Sequence, residues 1–307
     1  MRMFKKIAWS ICLIYIGLTH VHAANSDALN PKINECNQML KSFMSQKALD
    51  LSEELIKQDK FNRAAQLCKG KSELALGLNA QAISTFHFVE QLSKTSTEKM
   101  MAKAFIGNAY LANKQAAEAL TNYKVALELA KSEKNLGFER VSHNLIASAL
   151  FLATNYDEAI SEYQIALKLA QNDAERADIY ERFAECYEKK SNLDSAIDYQ
   201  IKAALAHTKY SDQDKQANAQ LELGRLYFES RLLDQSMVAI EKVVAMAKDN
   251  SPYWESKSYL YLAKTKIAMN KSADAITLLT NAKRINDELK DNEISELIKS
   301  ISDQITK

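Results

Sequence analysis

The sequence contains few of the residues that interrupt regular structure. It has six glycines and two prolines in 307 residues. Glycine and proline mark tight turns and hairpins, so their scarcity leaves little room for a fold built from many short strands. Hydrophobic residues make up 47% of the chain and charged residues 26%, as in a protein that buries a core. These absences predict a mainly helical chain.

Long apolar runs are also lacking, apart from one short run near the N-terminus. Residues 7–18 are apolar, follow the basic segment 1–6, and precede the compact residues Val-His-Ala at 21–23. This order is typical of a secretory signal peptide cut after Ala23. The run is shorter than the roughly 20 residues of a spanning helix, which disfavours an uncleaved anchor. We therefore expect a mature chain that is periplasmic or secreted and has no membrane span.

Neither sign of charge dominates the sequence, which has 40 basic and 39 acidic residues. Removing residues 1–23 takes away three basic residues, so the formal net charge changes from +1 to about −2. This near balance gives no support for a nucleic-acid-binding surface or a polybasic membrane surface.

Groups that carry catalysis or bind metals are sparse. Beyond residue 23 the histidines are His87, His143 and His207, and they fall at no metal-ligand spacing. The sequence has no Gly-rich phosphate loop, nucleophile elbow or HExxH segment. We predict a non-catalytic protein without cofactor or metal, and interpret each histidine as a tolerated helix residue.

Small residues recur in pairs twelve positions apart. Each pair predicts two amphipathic helices whose backbones approach at the small residues. Such an approach explains a glycine in a helix interior, where it costs roughly 1 kcal/mol relative to alanine. The pairs are Gly107 with Ala119, Ala147 with Ala159, Ala184 with Ala196, Gly224 with Ser236, and Ala263 with Ala275.

This pattern resembles the tetratricopeptide repeat, or TPR. Leu223-Gly224 followed by Tyr227 matches its first helix, and YDEAISEYQIALKLA at 156–170 matches its second. The resemblance is strong over 98–288 and weaker over 34–97. Second small residues are spaced 37 to 40 positions apart, more than the usual 34.

The resemblance implies an all-α, right-handed superhelical solenoid of about seven helix-turn-helix repeats. The repeats are expected over residues 34–290, after a linker at 24–33. Residues 291–307 form a predicted capping helix and tail, because a terminal helix covers the last apolar face of a stacked array.

In the family that the sequence resembles, the first helices line a concave groove that binds a partner. The family's offsets from the first small residue select the candidate groove residues Asn108, Leu111, Asn144, Phe151, Asp178, Glu181, Glu185, Glu188, Arg225, Phe228 and Lys264.

Four of these candidates are carboxylates on one helix face: Asp178, Glu181, Glu185 and Glu188. An acidic ladder beside apolar side chains suits a partner with basic and apolar groups. The alternative is an internal charge network, in which Arg225 and Lys264 neutralise the ladder from neighbouring helices.

Cys36 and Cys68 are both predicted on first helices of neighbouring repeats. An oxidising compartment would allow a disulfide between them. The alternative is that they fill small buried positions, as we expect for Cys186.

Together these features predict a non-catalytic scaffold or adaptor of the bacterial cell envelope that binds another protein or peptide in its groove. Two alternatives stay open: an assembly protein that acts by self-association, and a regulatory accessory subunit of an envelope enzyme. The sequence leaves the oligomeric state open.

Overall fold

The computed structural model describes residues 31–208, 213–248 and 250–305, which are helical and contain no strand. The predicted signal peptide, residues 1–23, lies outside the described residues. The helices are α1 (Pro31–Lys41), α2 (Ser45–Gln58), α3 (Arg63–Ala75), α4 (Asn79–Leu92), α5 (Ser96–Ala112), α6 (Ala116–Ser132), α7 (Leu136–Leu152), α8 (Tyr156–Leu169), α9 (Asp173–Lys189), α10 (Leu193–His207), α11 (Gln213–Glu229), α12 (Leu233–Ala247), α13 (Pro252–Ala268), α14 (Ser272–Leu289) and α15 (Asn292–Ile305).

The chain divides after Leu169 into two compact units. Unit 1 contains four helix pairs, α1/α2 to α7/α8, and unit 2 contains three, α9/α10 to α13/α14, followed by α15. In every pair the two helices pack against each other, and α15 packs against α13 and α14. The predicted all-α fold of about seven helix pairs with a C-terminal helix is therefore confirmed.

Glycines occupy positions where paired helices come closest. A Cβ atom built on Gly107 would overlap the ring of Tyr123, and one on Gly224 would lie 2.5 Å from Cγ1 of Ile240. The Ser236 hydroxyl donates a 2.8 Å hydrogen bond to the carbonyl of Gly224. Both small residues of this predicted pair therefore lie in the contact between α11 and α12, which explains the glycine inside α11.

Each turn within a pair contains one residue in the left-handed region, five positions before the second small residue. The residue after it donates its backbone N–H to the carbonyl five residues earlier, as Gln115 does to Tyr110 at 2.9 Å. This hydrogen bond is typical of the Schellman motif that ends a helix. These tight turns form although the chain has few glycines, because six of these seven residues are not glycine. They are Phe43, Gly77, Lys114, Thr154, Ser191, Arg231 and Asn270, with φ from 58° to 76°.

Buried aromatic side chains pack between the helices inside each unit. In unit 1, Phe86 of α4 and Phe105 of α5 are fully or almost fully buried, and their rings stack 5.2 Å apart. In unit 2, Trp254 of α13 is buried and its indole N–H donates a 2.7 Å hydrogen bond to Asp214 of α11. Over the described stretches, no helix is both long and apolar enough to cross a lipid bilayer.

Candidate functional site

Two predicted groove residues of unit 1 lie inside the unit. Asn108 is 2% exposed, and its Oδ1 accepts a 2.7 Å hydrogen bond from the hydroxyl of the buried Tyr123. Leu111 is buried in the same apolar core. A buried hydroxyl needs a partner, and Asn108 supplies it, so neither Asn108 nor Leu111 presents a side chain to a ligand.

Asn144 and Phe151 of α7 are partly exposed. The Phe151 ring lies edge-on to Tyr156, with centroids 5.4 Å apart. The Oδ1 atom of Asn144 is buried and makes no hydrogen bond. In unit 1 these two side chains therefore remain as candidates for contact with a partner.

The acidic ladder of α9 is matched by cations on α11. Lys215 Nζ lies 3.1 Å from Asp178 Oδ1, and Arg225 Nη2 lies 2.7 Å from Glu188 Oε2. In both pairs the cation follows the carboxylate by 37 positions, so the two contacts repeat along the same pair of helices. Arg225 therefore neutralises Glu188 of the ladder, as in the alternative of an internal charge network.

Arg225 is the centre of that network. Besides Glu188 it contacts Glu222 and Glu229 of its own helix, each at 2.7 Å. Burial works against a charged guanidinium, but Glu222 and Glu188 outweigh it and hold the pKa of Arg225 above its ordinary value. The side chain is 17% exposed, so this is a half-enclosed ionic cluster that joins α9 to α11.

Lys264 of α13 was a candidate cation for the acidic ladder of α9, but its ammonium lies over an aromatic ring instead. Its Nζ sits 4.7 Å from the ring centroid of Phe228 on α11. A cation over an aromatic face is attracted by the ring quadrupole. The predicted groove residues Phe228 and Lys264 thus contact each other between neighbouring first helices, and both are partly exposed.

The remaining ladder residues face different partners. Glu185 Oε2 accepts a 2.7 Å hydrogen bond from Arg182 of the same helix. Glu181 Oε1 lies 3.2 Å from Nε2 of His207, which is 2% exposed. From sequence, His207 is interpreted as a tolerated helix residue, because the histidines fall on different repeats at no metal-ligand spacing.

A disulfide joins Cys36 of α1 to Cys68 of α3, whose Cα atoms are 6.5 Å apart. Cys186 is a free, buried thiol, and burial raises its pKa to about 12. A thiol with so high a pKa holds little thiolate at neutral pH, so Cys186 is expected to be unreactive.

Comparisons with known proteins agree with this fold. No protein-family model matches the chain. The chloroplastic protein FLUORESCENT IN BLUE LIGHT of Arabidopsis thaliana is 27% identical over 110 residues, which is 35% of this chain and 35% of that protein. The present chain therefore matches about a third of that relative.

Solved structures resemble much more of the chain. The apo form of RapI has a TM-score of 0.70 at 14% identity, over 90% of this chain and 81% of RapI. A STAND protein of Pyrococcus horikoshii with a tetratricopeptide repeat sensor has a TM-score of 0.67 at 16% identity, over 88% and 44%. The C-terminal part of a TPR repeat-containing protein from Cytophaga hutchinsonii has a TM-score of 0.53 at 10% identity, over 86% and 98%. The fold is TPR-like.

Proposed function

We propose that this protein is a non-catalytic scaffold of the bacterial cell envelope that binds another protein or peptide through its first helices. The observation that carries the proposal is the surface of α9, α11 and α13 in unit 2. There the partly exposed Phe228 and Lys264 lie beside the paired charges of Arg225 and Glu188. Mixed apolar and charged groups are what a protein-binding surface offers.

The balance of charge on this surface favours a partner with apolar as well as basic groups. Asp178, Glu185 and Glu188 of the ladder already face cations of this chain, so a basic group gains from these three only by displacing a cation. Asp178, at 54% exposed, and Glu185, at 40%, are the more open carboxylates of the ladder. A basic side chain of the partner would contact these two, while Phe228 supplies an apolar contact.

Export is part of the proposal. It is supported by the signal-peptide pattern at 1–23 and by the Cys36–Cys68 disulfide, since disulfides persist in oxidising compartments. When the full chain is expressed in a Gram-negative host, it should be found in the periplasmic fraction. Its mass should match that of a chain that begins at Ala24. Retention of the uncut chain in the cytoplasm would contradict export.

Photo-crosslinking tests the binding surface. A photoreactive amino acid placed at Phe228 should capture a partner chain in native cells. The matched control is the same amino acid at Val238, which is 56% exposed on the second helix of the same pair. Capture from Val238 alone would contradict the proposal, and capture only of a second copy of this chain would favour self-association.

A further inference from the structure

Three potential metal ligands converge in unit 2. Asp178 and Glu181 lie one turn apart on α9, and His207 ends the paired helix α10. One ligand atom of each lies within 4.8 Å of the other two. The tightest of these contacts is Glu181 Oε1 to His207 Nε2 at 3.2 Å.

The histidine of this cluster has an unsatisfied nitrogen. His207 is 2% exposed, and its Nε2 makes no hydrogen bond. Although Glu181 Oε1 is close, the two groups are not aligned for hydrogen bonding. A buried polar atom left without a partner costs about 1–3 kcal/mol, so such an atom in a folded protein calls for an explanation.

We propose that Asp178, Glu181 and His207 form a binding site for a divalent transition-metal ion, for which Zn²⁺ is the probe. An imidazole ligand favours Zn²⁺ and similar ions over Mg²⁺ and Ca²⁺, which prefer oxygen. Zn²⁺ binds nitrogen and carboxylate oxygen at about 2.0–2.2 Å in tetrahedral sites. The ligands of such a tetrahedron are separated by about 3.3 Å, close to the distance between Glu181 and His207.

Asp178 completes the site by a small movement. It is 54% exposed, so its carboxylate can rotate without disturbing a packed core. Three protein ligands leave the fourth position of a tetrahedral ion to water. The ion would tie α9 to α10 and neutralise two carboxylates of the ladder.

Lys215 competes with the ion. Its ammonium lies 3.1 Å from Asp178 Oδ1, where it supplies positive charge to the same carboxylate. A bound metal must displace this contact or share Asp178 with it. Removing the ammonium should therefore strengthen metal binding, whereas removing a merely structural ion pair would not.

The test is calorimetric titration of Zn²⁺ into the untagged chain with its disulfide intact, after dialysis against a chelator. We expect one Zn²⁺ per chain. Replacing a second-shell group weakens metal binding by about 10- to 100-fold, so His207→Gln and Glu181→Gln, which remove ligands, should each weaken it at least tenfold. Lys215→Met should tighten it.

Two matched controls separate the site from general effects. Glu185→Gln removes a carboxylate from the same helix, outside the cluster. His143→Gln removes a buried histidine whose Nδ1 lies 2.6 Å from Glu162. Neither should change Zn²⁺ affinity.

The proposal is wrong if the parent chain binds Zn²⁺ no more tightly than His207→Gln, or if the two controls lose as much affinity as the ligand variants. Circular dichroism checks that each variant folds. Should His207→Gln fail to fold, the opposite effects expected of Glu181→Gln and Lys215→Met decide the matter, because equal affinities in these two variants would overturn the proposal. The outcome is independent of whether the first helices bind a partner.

Discussion

The first helices of unit 1 are joined by a disulfide, a cation–π contact and the largely buried ion pair of Arg63 with Glu98, whereas those of unit 2 are joined largely by more exposed ion pairs. In unit 1 the disulfide links α1 to α3, and Lys71 of α3 lies over the Phe105 ring of α5. In unit 2 Arg225 and Lys215 of α11 face the carboxylates of α9. Both units have small residues where paired helices touch, so the contact within a pair is of the same kind in each unit. The contacts between successive pairs differ in their chemistry.

This difference predicts different responses to conditions. Exposed and half-exposed ion pairs weaken with added salt, while a largely buried pair such as Arg63–Glu98 is screened much less and a disulfide is not screened. Unit 2 should therefore lose stability with moderate salt more than unit 1.

The largest expected effect comes from breaking the covalent link of unit 1. The cysteines are 32 positions apart, and a crosslink closing a loop of this length stabilises by about 4 kcal/mol in the chain-entropy estimate. Cys36→Ala with Cys68→Ala should lower the stability of unit 1 by up to that amount in urea unfolding. Cys186→Ala keeps the link and serves as control; an equal loss there would show that the disulfide is not the cause.

The next effect is a pH dependence in unit 1. Burial, with added repulsion from Arg63 and Lys41, lowers the pKa of Lys71 to about 8. In the unfolded chain a lysine keeps its proton to about pH 10.4. The unfolded state thus binds more protons between these pH values, and stability should rise with pH in that window by at most about 3 kcal/mol.

Lys71→Met should remove this rise, because the variant has no ammonium to desolvate. The check is urea unfolding from pH 7 to pH 10.5, with Lys69→Met as the control from the same helix. A parent chain whose stability is flat between pH 8 and 10 would contradict the assigned pKa.

The contact within a pair is tested at Gly107. A Cβ there would overlap the Tyr123 ring, and overpacking of this kind costs about 1–3 kcal/mol. Gly107→Ala should therefore destabilise unit 1 by about 2 kcal/mol in thermal or urea unfolding. At Gly137 the nearest atom to a Cβ is 3.7 Å away, so Gly137→Ala should be neutral or stabilising, and equal losses at both would refute the close approach.

The ionic contact of unit 2 is tested at Arg225. Arg225→Met leaves Glu188 without its cation, and we expect a loss of about 2 kcal/mol, less than for a fully buried pair because the cluster is partly exposed. The loss should shrink as salt is added. Lys131→Met removes an exposed i,i+3 pair with Glu128 and should cost about 0.5 kcal/mol. A salt-independent loss at Arg225 would indicate packing rather than charge.

The smallest effect concerns the turns within helix pairs. Thr154 has a φ of 64°, a conformation in which a β-branched residue is strained by about 1 kcal/mol. Thr154→Gly should raise stability by about that amount. The reverse change, Gly77→Ala at a φ of 76°, should lower it, and a stability change of the same sign in both variants would exclude backbone strain as the cause.

Local periodicity accounts for what could be predicted about the fold. A small residue repeated after twelve positions specifies two amphipathic helices and their contact, because both the helical face and the point of approach depend on nearby residues. In the weaker N-terminal repeats the small residues Cys36 and Gly70 are likewise followed after twelve positions by Ala48 and Ala82, which are fully buried. The left-handed residue in the turn of each pair was not predicted, since six of these seven turn residues are not glycine.

The candidate site was predicted less well. Offsets along a first helix indicate which face a residue lies on, but not which neighbouring side chain covers it. Asn108 and Leu111 were therefore predicted in the groove although they are buried. The same offsets correctly placed Arg225 beside the ladder but suggested this for Lys264 too, which lies over Phe228 instead. His207 had no signal, because its neighbours on α9 are 26 and 29 positions away in the chain.

The sequence by itself therefore determined the helix pairs and their number, because those depend on residues within about forty positions of one another. Only the tertiary structure decided which polar groups meet, because each ion pair, the Cys36–Cys68 link and the cluster around His207 depend on how one helix lies against another. Those distances follow from packing, which no pattern along a single helix records.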